Sequence, residues 1–177
     1  MSKKKLNFTL LVHSLFCSFI LIGFLSGCSQ NRMDFYENTD TTDLSKENIG
    51  GIKIGSIEKD VTNVFGKPDS IHRSQEPDTY YLIYGKNEDV QFKIVDGVVK
   101  EYFFSDQKLT TEKGISIGDS KADVIENYGK NYYTRTDTGE KDNVLGYFDK
   151  ENNIVLEFIF EKNLAVILST YNGSSNH

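Results

Sequence analysis

The chain has 177 residues, 38% of them hydrophobic, and a formal net charge of −6. Residues 1–27 hold Lys3, Lys4 and Lys5 and no acid, so the remaining 150 residues carry −9. A body of that size is one domain's worth of chain, and its acidity excludes the basic footprint that nucleic acid requires and electrostatic docking on anionic lipid.

The N-terminus is built as an address. Three lysines precede a mostly apolar run from Leu6 to Phe24, and Leu25-Ser26-Gly27-Cys28 closes it. A basic start, an apolar stretch and small residues at the exit are the parts of a secretory signal. The last four residues resemble the bacterial lipobox. That resemblance implies cleavage between Gly27 and Cys28, and a diacylglyceryl group with palmitate on Cys28. The alternative is an uncleaved span, since the run approaches the ~20 residues a transmembrane helix needs. Both readings put the body outside the cytoplasm and hold it at a membrane, and the Lys- and Asn-rich composition with a short tether points to a Gram-positive rather than a Gram-negative cell. The chain has two cysteines, and Cys17 leaves with the signal. The exported body then has no free thiol and no disulfide, and its core must hold it.

Residues 28–49 follow as a lipidated cysteine and a flexible tether. Asp, Asn, Thr, Ser and Glu dominate there, so the segment buries little. As a coil it would hold the body roughly 25 Å from its anchor. Met33, Phe35 and Tyr36 are its candidates for local docking.

The body reads as a duplication, with copies at 50–112 and 113–172 forming one domain and a frayed tail at 173–177. Gly51-Ile52-Lys53-Ile54-Gly55 recurs as Gly114-Ile115-Ser116-Ile117-Gly118, an offset of 63. Asp60-Val61 matches Asp123-Val124, Phe65-Gly66-Lys67 matches Tyr128-Gly129-Lys130, and Tyr84 matches Tyr147. Further on, Phe92 and Ile94 match Leu156 and Phe158, and Val99 and Phe103 match Leu164 and Leu168. Ser56 and Asp119 are placed to cap a helix, and Gly66 and Gly129 to end it. Val61, Val64 and Phe65 share one face of the first helix; Val124, Ile125 and Tyr128 share one face of the second.

Strand signals follow each helix: Thr79–Tyr84, Val90–Val95 and Val98–Phe104, then Ile154–Phe160 and Leu164–Thr170. Asp96-Gly97 is a two-residue hairpin turn. Weaker strands fit Ser70–Arg73 and Tyr132–Thr136. The fold class expected is α+β: two tandem repeats, each a short helix packed on a 3–4-stranded antiparallel sheet, with the opposite sheet face open.

The pattern G-x-x-x-G-x-x-x-x-D-V-x-x-x-[FY]-G-K followed by a meander resembles three groups. They are the tandem-repeat fold of secreted β-lactamase inhibitor proteins, the outer-membrane-assembly lipoproteins of the SmpA/OmlA type, and the CAP-associated domain of exported Bacillus-type proteins. The resemblance spans about residues 50–171. It implies a fold and a habit of binding protein, with no particular target. The inhibitor proteins carry disulfides that this body lacks.

The residues offer little for catalysis. His72 is the only histidine between the signal and the last residue. A serine or cysteine nucleophile would depend on it, and it reads as a solvated strand residue. No thiolate–imidazole set, calcium loop or phosphate loop is present, so no metal or cofactor is expected. Acidic residues are abundant enough that a cell-wall-acting enzyme or accessory factor stays open as an alternative. An assembly or structural lipoprotein is another.

Tyrosine points instead to binding, because it offers large contact area with a polar tip. The candidate surface is Tyr80, Tyr81, Tyr84, Tyr132, Tyr133 and Tyr147. Tyr80 and Tyr84 alternate with Tyr81 on one strand, and either set can be the outward one. The function expected is a membrane-anchored, extracytoplasmic, non-enzymatic module that binds an envelope protein.

Overall fold

The computed structural model describes residues 32–137, 142–160 and 164–171. The signal, Cys28 and the tail from 172 onward lie outside the described residues, as does the expected turn at Glu161-Lys162-Asn163.

Among the described residues, three short helices and eight strands follow one another. Helix α1 is Arg32–Asn38 and α2 is Glu58–Phe65. Strands β1 (Ser70–Arg73), β2 (Thr79–Tyr84), β3 (Val90–Val95) and β4 (Val98–Phe104) come next. Helix α3 (Lys121–Tyr128) precedes β5 (Tyr133–Arg135), β6 (Val144–Asp149), β7 (Ile154–Phe160) and β8 (Leu164–Thr170).

All eight strands form a single antiparallel sheet in the order β1-β2-β3-β4-β8-β7-β6-β5. This corrects the expectation of two repeats, each with its own small sheet. The seam is β4 against β8, with Tyr102 opposite Leu168 and Phe103 opposite Ile167. Both strands bury large apolar side chains on the helix side, Tyr102 and Phe104 beside Leu168 and Val166, and an unpaired edge of that kind invites pairing. The seam also breaks the match of Phe103 to Leu168. Leu168 is buried in the core, whereas Phe103 and Ile167 are half-exposed on the other face.

Local chemistry sets the helix ends. Helix α3 starts at Ser120, whose Oγ accepts the Asp123 N–H while the Asp123 carboxylate accepts the Ser120 N–H. That reciprocal capping box displaces the expected Asp119, which instead accepts the Ser116 N–H at 2.7 Å. Helix α2 starts at Ile57 without a side-chain cap, and the expected Ser56 accepts the Lys53 N–H instead. Gly66 (φ 80°) and Gly129 (φ 91°) end the helices as expected. Asp96 (φ 51°) and Gly97 (φ 76°) make the β3–β4 hairpin, both central residues being left-handed as that turn type requires.

Directly opposed residues of antiparallel strands share a face, so the register assigns the faces. One row runs Ile71, Leu82, Phe92, Tyr102, Leu168, Leu156, Tyr147. From Leu82 to Tyr147 it lies with Val61 of α2 and Val124 and Tyr128 of α3 in one core, which also takes in Leu44, Ile49 and Ile52, whereas Ile71 on the edge strand is 51% exposed. Both helices therefore cover the same sheet face.

Residues 34–49, expected as a solvated tether, are part of the fold. Helix α1 lies on the face opposite α2 and α3, where Phe35 and Tyr36 pack on Tyr133, Phe148 and Val155. The Thr42 N–H then donates to the Phe148 carbonyl at 2.7 Å, and the Leu44 N–H to Asp149 Oδ2 at 2.9 Å. Leu44 and Ile49 end in the helix-side core. The segment thus straps round the β6 side of the sheet from one face to the other.

Candidate functional site

The face away from α2 and α3 is ordered by two cross-strand rows. One crosses every strand: Ser70, Ile83, Gln91, Phe103, Ile167, Glu157, Gly146, Tyr133. The other runs His72, Tyr81, Lys93, Glu101, Ser169, Val155, Phe148. Helix α1 closes one end of both rows. Phe35 stacks on Tyr133 with ring centroids 5.0 Å apart, and Tyr36 on Tyr171 at 4.2 Å. The middle is partly exposed at Tyr81, Gln91, Lys93, Glu101, Phe103 and Ile167, while Ile83 in the first row is 2% exposed.

Under α1 the face is polar as well as aromatic. Glu157 is 3% exposed in its side chain and holds a bidentate pair with Arg135, Nε to Oε1 and Nη2 to Oε2, each 2.8 Å. The Tyr133 hydroxyl donates to the same Oε1 at 2.5 Å. The hydrogen bonds to Glu157 raise the Arg135 guanidinium above its ordinary value, outweighing the cost of burial. A buried carboxylate so paired is satisfied, which makes it a structural node. At the other end, Lys93 reaches Glu76 at 3.6 Å and lies 5.9 Å from the centre of the Tyr81 ring, both toward solvent.

The six tyrosines expected at a binding surface divide. Tyr81 lies half-exposed on the open face, and Tyr132 is 36% exposed after α3. Tyr80 is half-buried on the helix side, where its hydroxyl donates to Glu58 Oε2 at 2.5 Å. Burial, together with that carboxylate, pushes the Tyr80 hydroxyl up to about 12. Tyr84, Tyr133 and Tyr147 are 7%, 5% and 0% exposed, so they offer no contact area to a partner. Tyr84 and Tyr147 have another task. Each donates to the carbonyl of a glycine ending a helix, Gly66 at 3.3 Å and Gly129 at 3.0 Å. The sheet thereby holds the last turn of α2 and of α3.

Phe103 and Ile167 were missed as surface residues. The signal was present: Phe103 sits between Tyr102 and Phe104 in VVKEYFF, and one of two alternate sets must face outward. His72 is exposed on β1, as expected of a solvated strand residue.

A concavity of about 350 Å³ opens beside α2, lined by Phe65, Lys67, Asp69, Tyr84, Asp89 and Lys108 among others. Asp69 is occupied there by the Gly85 N–H at 2.8 Å. Among the described residues no group of three or more His, Cys, Asp or Glu is arranged to hold a metal ion. No helix among them is long and apolar enough to cross a membrane.

No family model and no curated protein matches the chain. Among solved structures, the chain is similar to an extracellular protein containing an SCP domain from Bacillus anthracis str. Ames, at 14% identity and a TM-score of 0.48. The likeness covers 68% of this chain and 44% of that one, so the chain spans less than half of that protein's length.

Proposed function

We propose that the protein is a membrane-anchored extracytoplasmic lipoprotein whose open sheet face binds another protein of the envelope without catalysing a reaction. The supporting observation is the half-exposed middle of that face, where Tyr81, Phe103 and Ile167 lie among Gln91, Lys93 and Glu101. Aromatic and aliphatic anchors among polar neighbours are the make-up of a protein-binding patch. A flat, mixed sheet face of this kind suits a macromolecule better than a small substrate, which needs a concave pocket. The Lys3–Lys5 start, the apolar run and the Leu25–Cys28 exit support export and lipidation at Cys28.

Two measurements test this. Mass spectrometry of the mature N-terminus should find a lipid-modified Cys28; an unmodified chain starting at Met1 rejects the anchor. Photocrosslinkers placed at Tyr81 and at Phe103 in the native envelope should capture one common protein. A crosslinker at Lys59, exposed on α2, should not capture it. Equal capture from Lys59 rejects the open face as the binding surface.

A further inference from the structure

We infer that the α1 end of the body lies directly at the lipid headgroups, held there by a spacer of only three residues. This rests on the proposed lipidation of Cys28. The chain between an anchored Cys28 and the first residue of α1 is Ser29-Gln30-Asn31. Covalent geometry limits four successive Cα steps to about 14 Å. From Phe35 onward the chain is committed to the fold. Phe35 and Tyr36 are stacked on Tyr133 and Tyr171, Thr42 is bonded to the Phe148 carbonyl, and Leu44 to Asp149. The slack expected of a tether reaching residue 49 has been taken up in strapping the sheet.

Charge does not supply this apposition. The exported body carries −9, and α1 turns exposed Asp34 and Glu37 to solvent, so anionic lipid repels it. Chain length alone sets the distance. The sheet extends from α1, over β5 and β6, across seven strand spacings of about 4.8 Å to β1. The open face therefore begins at the bilayer and ends within about 50 Å of it. A partner of that face is then a membrane-proximal protein, embedded in or resting on the same bilayer.

The test uses the full chain processed in a bacterial host and reconstituted in phosphatidylcholine vesicles containing headgroup-spin-labelled lipid. Fluorophores are attached through Glu37→Cys on α1, or through Gln75→Cys in the β1–β2 connection; both positions are exposed. Quenching at position 37 should be several-fold greater than at position 75. A flexible Gly/Ser insert of about 20 residues after Asn31 should abolish that difference, because such a coil spans roughly 25 Å. Quenching at 37 no greater than at 75, with Cys28 shown by mass to be lipidated, overturns the apposition and leaves the anchor standing. A Cys28 without lipid overturns both.

Discussion

The ring of Tyr133 lies across Gly146, its cross-strand partner, so closely that a Cβ built on Gly146 would clash with the hydroxyl-bearing edge of the ring. Glycine is present there to admit the ring, whose hydroxyl then reaches Glu157. Gly146→Ala should push the ring away from both Glu157 and Phe35 and cost about 1–3 kcal/mol of stability by overpacking. Urea denaturation of Gly146→Ala, Tyr133→Ala and the double variant reads this. In the Tyr133→Ala background the added methyl should cost almost nothing. Additive costs would show that the ring is not what excludes a side chain at 146.

The Arg135–Glu157 pair under α1 and the Lys93–Glu76 pair at the other end of that face should differ sharply in worth. Arg135→Ala leaves the buried Glu157 without its bidentate partner and should cost about 3–5 kcal/mol. Lys93→Ala removes a pair whose Glu76 side chain is 67% exposed, and should cost under about 1 kcal/mol. Equal midpoints in denaturant for the two variants would contradict the assignment of Arg135 to the structure under α1.

Asp149 fastens the strap. Its two oxygens accept the N–H groups of Leu44, Glu151 and Asn152 and the side-chain amide of Asn152. Asp149→Ala should loosen residues 41–44 first. Hydrogen exchange would show lost protection at Thr42 and Leu44, with Val61 and Leu82 unchanged. Uniform loss across the sheet would mean that the strap and the sheet unfold together.

Glu47 should make the fold pH-sensitive. It is 3% exposed, and burial raises its carboxyl above the ordinary value of 4.5. The Tyr128 hydroxyl, the Glu112 N–H and Lys113 offset only part of that rise. A carboxyl with a raised native value holds its proton to higher pH in the folded chain than in the unfolded one. Its contribution to stability therefore grows as pH falls through the raised value toward 4.5. Glu47→Gln keeps an acceptor for Tyr128 and should flatten that part of the profile. Thermal unfolding of both proteins between neutrality and mild acid reads the difference; parallel profiles would remove Glu47 as the cause.

Tyr147→Phe deletes only the hydroxyl bonded to the Gly129 carbonyl and should cost about 1 kcal/mol. The exposed Tyr132→Phe should be near neutral. Denaturant midpoints that do not separate the two would argue against the glycine contact as a support for α3.

Strands rich in aromatic and β-branched residues were legible in the sequence, and period-two patterning is clean in Val90–Val95 alone of the three below. Thr79–Tyr84, Val90–Val95 and Ile154–Phe160 form at their expected bounds. Strand β6 was not read as a strand, because Gly146 interrupts VLGYFD and Asp149 closes it, two residue types depleted in strands. The tether misled because its apolar residues are few. Leu44 and Ile49 are separated by polar residues, yet both reach a core that the rest of the chain has already built. Tyr84 and Tyr147 misled in the other direction. Composition alone cannot tell a tyrosine whose hydroxyl serves a partner from one whose hydroxyl serves a buried helix end.

The β4–β8 seam has a consequence for the order of assembly. The last strand of the chain lies at the centre of the sheet, between β4 and β7. A chain synthesised from its N-terminus can pair β1 through β4 early, yet it cannot join the two halves until Thr170 has been made. Pairings so distant in sequence are slow to form, and meanwhile β4 and β7 each expose an unpaired edge. The interval before closure is when the polypeptide is most exposed to proteases and to other copies of itself.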